Sequence, residues 1–179
     1  MVNGRALVKA ITLLGALMPG FALALTPERV EQWQEATRAL QAQAAEQGAA
    51  EWHPAGELRG VGESQAAFEA AAEALEGPAD ALESHGYDDP TAWAEEGARI
   101  YRALIALEIG DPRELQAQLE EAKEQIEASP QLGAAAKAGI IADIEAQKER
   151  LIDFVASIPD EDREAVASRQ EQLMELLRP

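Results

Sequence analysis

The feature that most constrains the fold is a set of prolines, each preceded by a residue that commonly precedes a helix. The five pairs are Thr26-Pro27, Gly77-Pro78, Asp89-Pro90, Asp111-Pro112 and Ser129-Pro130. Proline suits the first helical position because its missing N–H would have no partner there. Gly86 and Gly110 precede two of these starts, where glycine can take the left-handed conformation that ends a helix. The pattern predicts a series of helices joined by short loops.

The apolar residues between these starts repeat with helical spacing. The stripes are Val30, Trp33, Leu40 and Ala44; Phe68, Ala72, Leu75 and, past a break at Pro78, Leu82; Trp93, Gly97, Ile100, Leu104 and Leu107, with Tyr101, Ile105 and Ile109 beside them; Leu115, Leu119 and Ile126; Ile140, Ile144, Leu151, Val155 and Ile158; and Val166, Leu173, Leu176 and Leu177. The third stripe is the widest and predicts a central helix. We expect an all-α, single-domain antiparallel bundle of five or six helices.

The first 24 residues have the pattern of a secretory signal peptide. Arg5 and Lys9 precede an apolar stretch, and Ala22-Leu23-Ala24 is a small-x-small cleavage site. Glycine and proline interrupt the apolar stretch, which argues against a retained membrane anchor. We therefore predict cleavage after Ala24, a mature domain of residues 25–179 without membrane insertion, and a periplasmic or secreted location in a bacterium.

The predicted mature chain is strongly acidic and has no cysteine. It holds 13 basic and 33 acidic residues, a net charge of −20. Such a surface disfavours nucleic acid and favours solubility, cations or a basic protein partner. The absence of cysteine excludes disulfides, thiolate nucleophiles and cysteine-ligated metal centres. The chain is expected to be a monomer or a homodimer stabilised by packing alone.

The long connection over residues 48–63 has two interpretations. Its glycines and Pro54 argue against a helix, whereas Trp52, Leu58 and Val61 argue against a fully solvated linker. It either covers one end of the core as a lid or presents Trp52 and His53 to a partner. Two further candidate interaction residues, Tyr87 and Trp93, lie around the start of the central helix.

The best polar cluster for chemistry is Glu83, His85, Asp88 and Asp89, in the turn before the central helix. Carboxylates and an imidazole are suitable ligands for a weakly bound divalent cation. The structural interpretation is favoured: Asp89 caps the next helix, and His85 lies at a negatively polarised helix C-terminus. No catalytic motif occurs, neither histidine belongs to a Glu-x-x-His site, and no cofactor is predicted.

Two family resemblances follow from particular residues. The run His85-Gly86-Tyr87, followed by Pro90, Trp93, Gly97, Ile100, Tyr101, Ala103 and Leu104, resembles a loosely defined group of uncharacterised secreted helical proteins from proteobacteria, as does the opening Leu25-Thr26-Pro27. This resemblance implies a location and a fold. A fainter one is to periplasmic chaperones of the Spy and CpxP type, whose Leu-Thr-x-x-Gln motif is matched by Leu25-Thr26, with Arg29 at the glutamine position.

Three functions are compatible with the sequence. The first is a non-enzymatic periplasmic interaction or scaffold protein, since the chain offers helix surface and no assembled chemistry. The second is a chaperone-like binder of unfolded clients on an apolar groove. The third is an enzyme or a binder of a small ligand or metal that uses the His85 region or the Trp52 loop.

Overall fold

Proline residues set most of the helix boundaries in the computed structural model, which describes residues 24–49, 51–54 and 61–178. The described residues form eight α-helices, one short 3-10 helix and no strand, which confirms the all-α class. The helices are α1 (Pro27–Glu46), α2 (Ser64–Glu73), α3 (Pro78–Glu83), α4 (Pro90–Ile109), α5 (Pro112–Ala128), α6 (Ala134–Ala156), α7 (Asp160–Ala167) and α8 (Gln170–Leu177), with the 3-10 helix at Val61–Glu63 before α2.

Four of the five predicted helix starts are helix starts in the structure. The side chains of Thr26, Asp89 and Asp111 accept a backbone N–H of the first turn of α1, α4 and α5, at 3.3, 2.8 and 2.8 Å. The Ser129-Pro130 pair is different, because Ser129 ends α5 and α6 begins only after Gly133. Proline just past a helix end prevents its continuation, so this pair is a stop signal.

The helix count exceeds five or six because two predicted helices are each divided in two. The stripe from Phe68 to Leu82 is interrupted where Gly77, with a φ of 63°, precedes the first residue of α3. The stripe from Val166 to Leu177 is interrupted between α7 and α8. Each stripe still buries its main apolar residues, since Phe68, Leu82, Val166 and Leu173 are all fully buried.

Helix α4 lies at the centre of the fold, as its wide stripe predicts. It contacts α1, α2, α3, α6 and α7. Nine of its residues are buried, among them Trp93, Ile100 and Leu104. A single hydrophobic cluster extends from Leu25 to Leu177 and includes residues of every α-helix except α5.

Three aromatic rings form the middle of this core. Trp33 of α1 and Trp93 of α4 stack with ring centroids 5.9 Å apart and planes 11° apart. Phe68 of α2 meets both rings edge-on, at 5.7 and 5.6 Å. Stacked and edge-to-face contacts are the favoured geometries for such rings. The three helices are therefore joined at one point.

The indole N–H groups in this core all have partners. Trp33 Nε1 donates to the carbonyl oxygen of Trp93 at 3.1 Å, and Trp93 Nε1 donates to Thr37 Oγ1 at 3.0 Å. The Thr37 hydroxyl in turn donates to the carbonyl oxygen of Trp33 at 2.8 Å. A buried donor left unpaired would cost about 1–3 kcal/mol. Thr37 is fully buried, and its hydroxyl satisfies the indole N–H of Trp93 beside the stacked Trp33.

Gly97 allows α1 and α4 to approach this closely. A Cβ at this position would lie 2.9 Å from Cζ2 and Nε1 of Trp33, inside van der Waals contact. The glycine costs helix propensity, about 1 kcal/mol relative to alanine. Packing of the indole against the bare backbone offsets that cost.

The long connection returns to the body at Trp52. Its indole Nε1 donates to the carbonyl oxygen of Ala71 in α2 at 2.7 Å, and its ring packs against the core cluster. Pro54 is buried. Leu58 lies outside the described residues, as does the side chain of Val61. The described part agrees with the lid interpretation of this loop.

We expect Gly97→Ala to lower the free energy of unfolding by about 1–3 kcal/mol, because the new methyl group overpacks against Trp33. Gly139→Ala is the matched control: it lies within α6 with no atom within 4 Å of an added Cβ. The control should gain about 0.5–1 kcal/mol from helix propensity. Urea unfolding followed by circular dichroism measures both, and equal effects of the two substitutions would contradict the packing assigned to Gly97.

Candidate functional site

The residues of the predicted polar cluster before α4 lie where α3 ends and α4 begins. Asp89 caps α4, Gly86 has a φ of 77°, and the backbone N–H of His85 donates to the carbonyl oxygen of Leu82 at 2.9 Å. Glu83 and Asp88 are exposed. Among the described residues, no three histidine, aspartate or glutamate side chains are grouped so that they could hold a metal ion.

Tyr87 is buried against a charged pair. Its hydroxyl donates to Glu96 Oε2 at 2.5 Å, and Arg29 binds both oxygens of Glu96, at 2.9 and 2.6 Å. The Arg29 guanidinium also lies 5.3 Å from the centre of the Tyr87 ring. Burial and the neighbouring Glu96 carboxylate raise the pKa of Tyr87 far above its usual value. The phenol is therefore a fixed donor that helps tie α1 to α4.

The four candidate interaction residues offer little surface. Tyr87 and Trp93 are 1% and 0% exposed, so neither side chain presents a contact surface to a partner. Trp52 is held on α2 as described above. His53 is partly buried, and its Nδ1 has no hydrogen-bond partner within the described residues. The structure thus gathers these residues around the core rather than at a shared site.

The largest unexplained surface is a pair of helices that extends away from the core. Helix α5 has no buried residue, and α6 buries only Val155 near its C-terminal end. No residue between 110 and 153, a fully described stretch, belongs to the core cluster. The two helices pack on each other, and α6 also contacts α4. We call Pro112–Ala156 the arm.

The arm has an apolar stripe that a hairpin of two helices cannot cover completely. Its members are Leu115, Leu119 and Ile126 of α5 and Ile140, Ile141, Ile144, Leu151 and Ile152 of α6. All are partly buried, and Ile140, at 37% exposed, is the most exposed large apolar residue among the described residues. Two helices bury only the faces they share, so the edges of the stripe stay open to solvent.

Four charged side chains bridge the two helices of the arm. Lys123 Nζ lies 2.6 Å from Glu145, and Lys148 Nζ lies 2.6 Å from Glu145 and 3.1 Å from Glu120. Hydrogen bonds from Lys123 and Lys148 lower the pKa of Glu145 to about 2. The same contacts lower the pKa of Glu120 and raise the pKa values of both lysines. This charge quartet fixes the register of α5 against α6.

The quartet was visible in the sequence only as local pairing. Each helix carries a glutamate three residues before a lysine, Glu120 with Lys123 and Glu145 with Lys148, a spacing that places both on one helix face. The repetition of this spacing is the signal for the pairing across helices. Composition does not mark these four residues, because acidic residues occur all along α5.

A second surface feature is an open groove of about 1440 Å³ between the start of α1 and helices α2, α4 and α7. Its charged lining residues are Arg29, Glu95, Glu96, Arg99, Arg102 and Asp162. Arg29 pairs with Glu96, and Arg99 binds both oxygens of Asp162 at 2.5 and 2.8 Å. Asp162 is 1% exposed and could not be singled out from the sequence, because its partners are 63 and 137 residues away.

We expect acid to loosen the arm. Because the pKa of Glu145 is depressed, its stabilising contribution is present above about pH 4.5 and is lost as pH falls toward 2. Glu145→Gln should therefore lower hydrogen-exchange protection in α5 and α6 at pH 7 and have no effect near pH 2. Glu149→Gln, at an exposed position of α6, is the control. Equal loss of protection in the two variants at pH 7 would contradict the role of the quartet.

None of the described helices combines the length and apolar character needed to cross a membrane. Comparisons with family models, curated proteins and solved structures give no match to this chain. The residues behind the sequence resemblance include Tyr87, Trp93 and Gly97, which are core positions here. The site therefore has to be interpreted from its own geometry.

Proposed function

We propose that this protein is an extracytoplasmic, non-enzymatic interaction module whose arm binds a helix of another protein. The leader-like residues 1–24 support the location. We propose no enzymatic role because the buried ionic side chains, including Glu96 and Asp162, form ion pairs that join helices. The arm supplies the binding surface.

The observation that carries the proposal is the absence of core residues over most of the arm. Forty-four consecutive residues, 110–153, contribute none to the hydrophobic cluster, yet they keep a helical apolar stripe. A surface helix pair with no partner would need only the apolar residues at its mutual contact. Residues at the edge of that contact, above all Ile140, keep part of their apolar surface exposed, and this surface suits docking of a third helix.

The charges around the stripe indicate the chemistry of the partner. The arm carries nine acidic and five basic residues, and the quartet uses two of each. The remaining excess is seven acidic residues against three basic ones, which favours a partner helix with basic residues beside its apolar face. A second copy of this acidic chain is disfavoured by the same repulsion.

A chaperone-like role is supported less well. Binding many unfolded clients requires a broad, open apolar surface. In the arm, every large apolar side chain except Ile140 is already partly covered. This geometry suits one narrow helix better than varied unfolded chains.

A photo-crosslinking amino acid at Ala136, one turn before Ile140 on the same side of α6, tests the proposal in the native compartment. We expect one discrete adduct with another protein. Ile140→Lys should reduce its yield about tenfold, because it removes apolar contact and adds a charge that repels a basic partner. Ala142→Lys adds the same charge on the opposite side of α6 and should leave the yield unchanged.

Three outcomes would contradict the arm as a binding element for another protein. These are no adduct at Ala136, an equal loss in both lysine variants, or an adduct consisting only of two copies of this chain. Circular dichroism of each variant checks that the arm remains helical. The last outcome would assign the surface to a homodimer.

The location has its own test. We expect the chain recovered from the cell envelope or medium to begin at Leu25, as read by N-terminal sequencing. Ala24→Pro should block cleavage, because proline replaces the small residue before the scissile bond and has no backbone N–H to donate to the peptidase. A full-length chain in the cytoplasm would refute the predicted export.

A further inference from the structure

The backbone nitrogen of Leu25 is bound by a buried carboxylate. It donates to Oδ1 of Asp162 at 3.0 Å, across 137 residues of chain. The same carboxylate accepts Arg99 Nε at 2.5 Å on Oδ2 and Arg99 Nη2 at 2.8 Å on Oδ1. Leu25 and Asp162 are 5% and 1% exposed, whereas the preceding residue, Ala24, is exposed in the groove.

This arrangement coincides with the predicted cleavage site. Hydrolysis of the Ala24–Leu25 peptide bond by a leader peptidase breaks the C–N bond, gives the water oxygen to the Ala24 carboxylate and leaves Leu25 with a protonated amine. An amide donor to Asp162 is thereby replaced by an ammonium donor. The bond from the amide is already charge-assisted, because its acceptor is a carboxylate. The ammonium group adds a charge on the donor as well, and with it a Coulombic attraction between the two groups.

We propose that Asp162 is the receptor for the α-ammonium group of a chain that begins at Leu25, so that removal of the leader completes an ion pair which the longer chain lacks. The inference rests on the proposed export and cleavage. Removal of the leader would then have a structural effect, because the new first residue, Leu25, forms an ion pair with Asp162 of α7.

The surroundings accommodate the added charge. Leu25 directly precedes Thr26, which caps α1, so the position of its nitrogen is fixed by the helix. Removing Ala24 leaves the two other ammonium N–H groups facing the groove, where water can solvate them. The charged groups facing this position are Arg29 of α1, Glu95, Glu96, Arg99 and Arg102 of α4, and Asp162 of α7. These groups are three guanidinium groups and three carboxylates, so their formal charges balance before the ammonium group is added.

Folding also protects the site. Because Leu25 is buried in the folded domain, the peptidase must act before the chain folds. The ion pair then forms as α7 docks on α1 and α4. The register is strict, since a chain that starts one residue earlier carries its ammonium group outside the contact, and one that starts later lacks Leu25.

Two chains that differ by one residue test the proposal. Each is released from a ubiquitin-like carrier by a protease that cuts after the carrier's last glycine, so one begins at Leu25 and the other at Ala24. Both contain the whole core cluster. At pH 6 we expect the Leu25 chain to have an unfolding equilibrium constant about tenfold smaller, which corresponds to about one unit of pKa increase in the ammonium group.

The pH dependence separates charge from shape. Pairing with Asp162 raises the pKa of the ammonium group above its unfolded value of about 8, so its contribution is complete below that pH and is lost as pH rises through the raised value. The difference between the two chains should therefore disappear near pH 10. Acetylation of the Leu25 terminus, which keeps an N–H donor and removes the charge, should abolish it at pH 6.

Removal of the Asp162 charge is the matched control. In the Asp162→Asn background, the Leu25 and Ala24 chains should be equally stable; if that background does not fold, the acetylated chain gives the same comparison. Equal stability of the Leu25, Ala24 and acetylated chains at pH 6 would overturn the proposal. That result would leave export untouched, because N-terminal sequencing of the exported chain decides export separately.

Discussion

The contact between Trp33 and Trp93 over Gly97 is the constraint on which the rest of the structure depends. The indoles can stack only if α1 and α4 approach closely, and they approach closely only because Gly97 has no Cβ. That approach also places Arg29 beside Glu96, and it creates the edge that Phe68 of α2 covers. Because the chain has no cysteine, no disulfide can join these helices, and close packing has to hold them together.

Sequence periodicity identified the apolar faces correctly but did not show what covers them. The stripes of α1 and α5 are similar in spacing, yet Val30, Trp33 and Leu40 are fully buried whereas Leu115 and Leu119 are only partly buried. Burial depends on which helices return to the same face, and that is a tertiary property. Tyr87 shows the same limit of sequence periodicity. A tyrosine beside a glycine turn is typical of the surface, and only the structure shows that its hydroxyl donates to Glu96, nine residues later.

The ionic groups divide into two classes that follow from their surroundings. In the body, the carboxylates of Glu96 and Asp162 are almost fully buried, so each must be satisfied by an arginine and by neighbouring donors. In the arm, the quartet around Glu145 is accessible to water, so its contribution is modest and sensitive to salt. Neither class can be recognised from composition, because the chain has 33 acidic residues and only a few of them have fixed partners.

The order of the helices explains how one chain contains both a rigid body and an open arm. Helix α4 ends at Ile109 and the chain returns to it at α7, which packs on both α4 and α1. Helices α5 and α6 lie between these two points, and the body holds this segment at both ends. Residues 110–153 therefore do not have to contribute to the core. Asp162 strengthens that closure, because it binds Arg99 of α4 and the backbone at Leu25 together. A body closed in this way does not use the apolar surface of residues 110–153 for its own packing.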